Sequence, residues 1–309
     1  MRKAFYFIIV FIILIVLSPT LLSLCDSKNK QNTKDNVNND TVVLARNENK
    51  QQEKNTVSNQ NVKQNLPKAE KELRNIYQKD LELSKHSHEI VFTFGDTLTK
   101  LLLSDTSTMS YPFKQIVDRG YGNGYVKIST SKDGNLRFYS WETPFGGTMF
   151  DYGNVYQYKS NGTVYTIKGT PFDIEDTTKF NYGTEHSYGT VFESIYPVIV
   201  NGKTCYIVEY GNRIGTGDYM NYITAFIIEN DQLKTTAIFK TPKGYSSDFS
   251  YEWCRCESEL GFSYDKAKKI LIVPDYKDNY FYECKISRYA QYQLRGDYFE
   301  FIGYLGSQY

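Results

Sequence analysis

Val155-Tyr156-Gln157-Tyr158-Lys159-Ser160-Asn161-Gly162-Thr163-Val164-Tyr165-Thr166-Ile167-Lys168 holds two runs rich in β-branched and aromatic residues, joined by Asn-Gly. Glycine reaches positive φ freely and asparagine tolerates it, so Asn-Gly between such runs predicts a tight β-hairpin. Five more stretches follow the same grammar. Val126–Thr130 leads through Asp133-Gly134 to Leu136–Trp141, and Tyr196–Val200 turns at Asn201-Gly202 into Thr204–Tyr210. Asn221–Glu229 turns at Asn230-Asp231 into Leu233–Lys240. Gly261–Tyr264 turns at Asp265–Lys268 into Lys269–Val273, and Tyr289–Leu294 turns at Arg295-Gly296 into Asp297–Gly303. Six hairpins predict a mainly β body of antiparallel meanders. The turns are spaced 28, 40, 29, 35 and 30 residues apart, too unevenly for a repeat. A barrel or sandwich is the first expectation; a small degenerate β-propeller is the alternative.

Composition agrees. Of 28 tyrosines, only Tyr6 and Tyr77 precede residue 100, so the strand-favouring aromatics belong to the later chain. Net charge is +1, without the basic excess of a nucleic-acid binder.

Upstream the chain changes character three times. Arg2 and Lys3 precede Ala4–Leu17, an unbroken apolar run that matches the n- and h-regions of an export signal. Cys25 follows, as in a lipobox, although Leu24 stands where a small residue is expected. Lipidation at Cys25 is the first reading. An uncleaved transmembrane anchor over Ala4–Leu24 is the second, with Arg2 and Lys3 on the cytoplasmic side. A cleaved signal and a Cys25 that is merely apolar are the other two. Residues 1–25 are thus a signal or anchor, and the membrane is a partner through the N-terminus. Residues 26–66 are polar and without period, a disordered tether with a span of roughly 35 Å. Residues 67–110 form a helical lead-in. Pro67 suits a first turn, and Leu73, Ile76, Tyr77 and Leu81 fall at helical spacing. A break is expected near 84–96, with Asp96 capping a second helix and Glu70 in solvated ion pairs. The all-β domain takes 111–309.

The run Ser131-Lys132-Asp133-Gly134-Asn135-Leu136-Arg137-Phe138-Tyr139-Ser140-Trp141-Glu142-Thr143-Pro144-Phe145-Gly146-Gly147-Thr148-Met149 resembles a signature of exported, lipoprotein-like bacterial proteins to which no activity is attached. Tyr111-Pro112-Phe113 and Gln157-Tyr158 also resemble that group. The resemblance implies an exported all-β domain behind a helical lead-in, and it brings no catalytic residues. Read physically, Arg137, Tyr139 and Trp141 alternate with Leu136, Phe138 and Ser140, so each trio shares a face. One reading makes Arg137, Tyr139, Trp141 and Glu142 a binding face beside Gly146-Gly147; the other makes the stretch a hairpin and a structural corner.

Four cysteines remain beyond Cys25. In an oxidising compartment Cys254 and Cys256, two apart on one strand face, are expected to bridge to Cys205 and Cys284 in either order. Four free buried thiols are the alternative. A zinc site from Cys254, Cys256, His86 and His88 lacks the usual spacing. His186 with Ser187 or Ser194 offers a hydrolase, but no nucleophile-elbow motif accompanies it. No cofactor is implied. Three functions compete. A tethered module binding glycan, peptide or an envelope protein predicts an exposed aromatic patch. A structural or inhibitory envelope protein predicts a flat interface, and a hydrolase predicts His186 in reach of a carboxylate or hydroxyl.

Overall fold

A computed structural model describes residues 65–85, 92–116, 125–143, 151–172, 190–213, 218–241, 244–254, 262–275 and 288–306. The N-terminal run, Cys25, His86, His88, Gly146, Gly147, His186, Ser187, Cys256 and Cys284 lie outside them. Among the described residues no helix is long and apolar enough to cross a membrane.

The chain enters through α1 (Leu66–Ser84), where the Asn65 side chain accepts from the Lys68 amide and Pro67 occupies the first turn. α2 (Phe94–Ser104) and a 3-10 turn (Thr106–Met109) follow. Asp96 does not cap α2. Asp80, reaching over from α1, accepts from the Thr93 and Phe94 amides at 2.8 Å each. Asp96 instead pairs with Lys168 at 2.6 Å on the surface. Glu70 is also not a solvated charge, being 1% exposed.

Fifteen strands then form three sheets among the described residues. The first is an antiparallel meander of β1 (Val126–Thr130), β2 (Leu136–Thr143), β3 (Asp151–Ser160) and β4 (Thr163–Lys168). The middle sheet runs β11-β7-β6-β5, from β5 (Val191–Val200), β6 (Lys203–Arg213), β7 (Asp218–Glu229) and β11 (Asp248–Cys254). β8 (Gln232–Thr235) pairs with the far end of β7. The last sheet has the order β10-β9-β15-β14-β13-β12. Its strands are β9 (Phe239–Thr241), β10 (Gly244–Ser246), β12 (Ser263–Asp265), β13 (Ile270–Asp275), β14 (Arg288–Leu294) and β15 (Phe299–Gly306). All six expected hairpins form, and Asn161, Asn201, Asn230 and Asp231 take positive φ at their turns. The strand expected over Leu233–Lys240 is cut short, because the chain leaves β8 to start the last sheet at β9.

The sheets are open and stacked, so the fold is of the sandwich type with an added layer, not a barrel. α1 and α2 cover one face of the first sheet through Leu73, Phe94, Leu98, Tyr139 and Trp141. Its other face meets the middle sheet through Phe138, Tyr156, Phe192, Tyr206 and Phe226. The middle sheet's second face meets the last sheet through Ile207, Ile223, Phe239, Leu271 and Phe299. β6 shows why: Cys205 and Ile207 point to one neighbour, Tyr206, Val208 and Tyr210 to the other.

Candidate functional site

β2 sets Arg137 directly across from Thr130 on β1 and Gln157 on β3. The 3-10 turn passes over this face. Asp105 shapes that turn, its carboxylate accepting from the Ser107 amide at 2.9 Å and the Ser107 hydroxyl at 2.6 Å. Two carbonyls of the turn are thereby offered to Arg137, whose Nη1 donates to Thr108 O at 2.9 Å and Met109 O at 3.0 Å. Beside it, the Tyr139 hydroxyl donates to Gln157 Oε1 at 2.7 Å. Gln157 Nε2 donates to the Thr108 and Thr166 hydroxyls at 3.1 Å each, and to the last-turn carbonyl of Leu102 at 3.3 Å. This buried network satisfies a helix-end carbonyl that would otherwise lack a partner.

A second carboxylate holds the segment that roofs the face. Glu70 accepts from the Tyr111 hydroxyl at 2.8 Å and from the amides of Gln115 and Ile116. Phe113 lies between these anchors with φ at 45°, a left-handed conformation that costs a bulky residue energy. Its ring stands 5.5 Å from the Arg137 guanidinium carbon, and the Tyr139 ring 5.1 Å. Both separations suit cation–π attraction.

The result is an open cleft of about 330 Å³. Met109 lines it from the 3-10 turn, Tyr111 and Pro112 from the segment after it, Ile128 and Thr130 from β1, and Arg137 from β2, with exposed Lys159 at its margin. Arg137 is 4% exposed, and its Nε is buried without a hydrogen-bond partner. Burial pulls its guanidinium below the ordinary value, yet an arginine remains charged at any physiological pH. The same burial pushes the Tyr139 phenol well up, so it serves as a neutral donor.

The other members of the expected binding face are placed differently. Tyr139 and Trp141 are buried under the helices. The indole fits between α2 and β3 so closely that a Cβ at Gly95 or Gly153 would collide with it. Glu142 is five residues from Arg137 along one strand, which puts it on the opposite face. Nothing in the sequence marks Glu70, Asp80, Phe113 or Gln157 as site residues; Tyr111-Pro112-Phe113 and Gln157-Tyr158 stand out there only through the resemblance. Large exposed aromatics among the described residues are Tyr245 on β10 and Tyr304 on β15, with β9 between those strands. That is not the exposed aromatic patch expected of a tethered module for glycan, peptide or an envelope protein, and it leaves the cleft as the feature on which such a reading can rest.

Cys205 is a free thiol, contrary to the expected bridge. The register explains part of this. Cys205 aligns with Ile227 on β7, while Cys254 aligns with Asp218. Nine residues of strand separate those positions, about 30 Å, against the roughly 7 Å limit for bridged Cα atoms. Cys205 packs in the core between the middle and last sheets, where burial pushes its thiol up to about 11. Ser194 donates to Glu209 at 2.7 Å from within the β5 strand. No group of three metal-ligating side chains converges among the described residues. Comparison with protein families, with characterised proteins and with solved structures finds no match for the chain.

Proposed function

We propose that the chain is an exported, membrane-tethered recognition module of the bacterial envelope, with the layered body as its binding head. The observation that carries the binding role is the cleft lined by Arg137, a buried cation with no carboxylate partner among the described residues. Export and tethering are supported by the basic start, the apolar run Ala4–Leu17 and the long polar stretch before Leu66. The signature around Arg137 supports the same compartment.

Protease treatment of intact or outer-membrane-permeabilised cells, with fractionation, tests the placement. Digestion of membrane-bound chain from the outside is expected; soluble, unprocessed, cytosolic protein would overturn it. A photoreactive amino acid at Thr130 tests the head. An adduct there, with none from the same group at exposed Ile199, is expected. A second reading, a structural or inhibitory envelope protein working through a protein partner, draws on exposed Ile302, Tyr304 and Leu305 on β15. It predicts the reverse labelling, with capture from β15 and none from Thr130.

A further inference from the structure

We infer that the Arg137 cleft takes a small ligand bearing a carboxylate on an apolar body. This rests on the recognition reading above and names its ligand class.

Donor accounting comes first. A guanidinium carries five N–H donors. The two on Nη1 are committed to Thr108 O and Met109 O, and none of the rest has an acceptor among the described residues. The charge is as unbalanced as the donors. Carbonyl dipoles and two ring faces soften the burial, but no aspartate or glutamate among the described residues pairs with Arg137. Acids close in the fold are committed elsewhere. Glu70 holds Tyr111 and two amides, Asp80 caps α2, and Asp105 holds Ser107. Asp133 accepts from Ser131 at 2.6 Å and Tyr206 at 2.9 Å. A buried charge ordinarily comes with a partner, because leaving one unpaired is costly. Here Arg137 is one of the residues that line a cleft, so the partner comes from outside.

The lining chooses among anions. One buried cation and one marginal lysine match a monoanion. The Thr108 and Met109 carbonyls at the guanidinium oppose the denser charge of a phosphate dianion, and among the described residues no cluster of arginines gathers as phosphate recognition favours. Met109, Pro112, Ile128 and the Tyr111 ring supply apolar surface for the rest of the molecule. The volume lies at the lower end of small-ligand sites, which run roughly 300–1,000 Å³.

The test uses the full-length chain in detergent, titrated with benzoate, its neutral isostere benzamide, and inorganic phosphate. Benzoate is expected to bind about tenfold or more tighter than benzamide, the return on a charge-assisted pair. Phosphate is expected to bind more weakly than benzoate. Thr130→Trp, at the exposed mouth, should abolish benzoate binding without moving the melting temperature; Arg137→Met should abolish it too, with the mouth left open. Absence of benzoate binding, equal affinity for benzoate and benzamide, tighter phosphate, or benzoate binding that survives Thr130→Trp would each overturn the assignment. Purified protein reports nothing about placement in the cell. A failed titration beside a Thr130 adduct in cells would remove the carboxylate and leave the recognition module standing.

Discussion

Where α1 and α2 lie on the first sheet, Glu70, Asp80, Thr108, Arg137 and Gln157 are buried beside Leu73, Phe94 and Trp141. Where the middle sheet meets the last, the buried side chains are Val, Ile, Leu, Ala and Phe, with one thiol and one tyrosine. The contrast follows from what each interface must specify. Strands arrive already registered by ladder hydrogen bonds, so two sheets need only matched volume, and the hydrophobic effect is indifferent to direction. Two short helices have no such ladder to the sheet beneath them. Directional bonds to Leu102 O, Thr108 and the Thr93–Phe94 amides fix where they sit. That same placement builds the wall of the Arg137 cleft.

The comparison breaks most visibly in the dry interface. Phe239→Ala is expected to cost about 3–5 kcal/mol in denaturant unfolding, whereas Phe239→Leu should cost well under half of that, since volume is what counts there. Gln157→Met keeps the volume but removes the bond from the Tyr139 hydroxyl and the amide bonds to Thr108, Thr166 and Leu102 O; a loss of about 3 kcal/mol is expected. A loss as small as that of Phe239→Leu would mean that the wet interface also runs on volume alone. Gly95→Ala sharpens the role of the indole. Helix propensity favours alanine, but the collision with Trp141 should reverse the sign and cost about 1–3 kcal/mol, with a shift in tryptophan fluorescence.

Two smaller effects concern single groups. Burial tends to raise the Asp133 carboxyl, but hydrogen bonds from Ser131, Asn135 and Tyr206 outweigh it and hold the group below its ordinary value. A depressed carboxyl contributes stability above the unfolded-state value, and that contribution fades as pH falls through the folded one. The stability gap between wild type and Asp133→Asn should therefore be present at neutral pH and shrink under acid below about pH 4. Cys205 should resist iodoacetamide in the native protein at pH 8 and react on unfolding, because burial leaves almost no thiolate.

The hairpins were legible because their information is local: positive-φ turn residues between apolar runs say the same thing in any context. The face shared by Arg137, Tyr139 and Trp141 was legible for a similar reason, from the two-residue period of a strand. That helices would cover the face was not. It depends on where a lead-in more than thirty residues upstream docks. Glu70 reads as a solvated helix charge and Asp80 carries no mark at all, because their partners, the amides of Gln115, Ile116, Thr93 and Phe94, lie in other segments.

The amino-acid order alone determined a mainly antiparallel β body behind a helical entry, since turn chemistry and periodicity act over a handful of residues. Tertiary structure alone decided that three open sheets stack in a row and that β9 joins β15 in parallel. It also decided that Cys205 and Cys254 stand far apart and that one buried arginine opens on a cleft. Each of these turns on which distant segments meet, and side chains far apart along the chain carry no local mark of their partners.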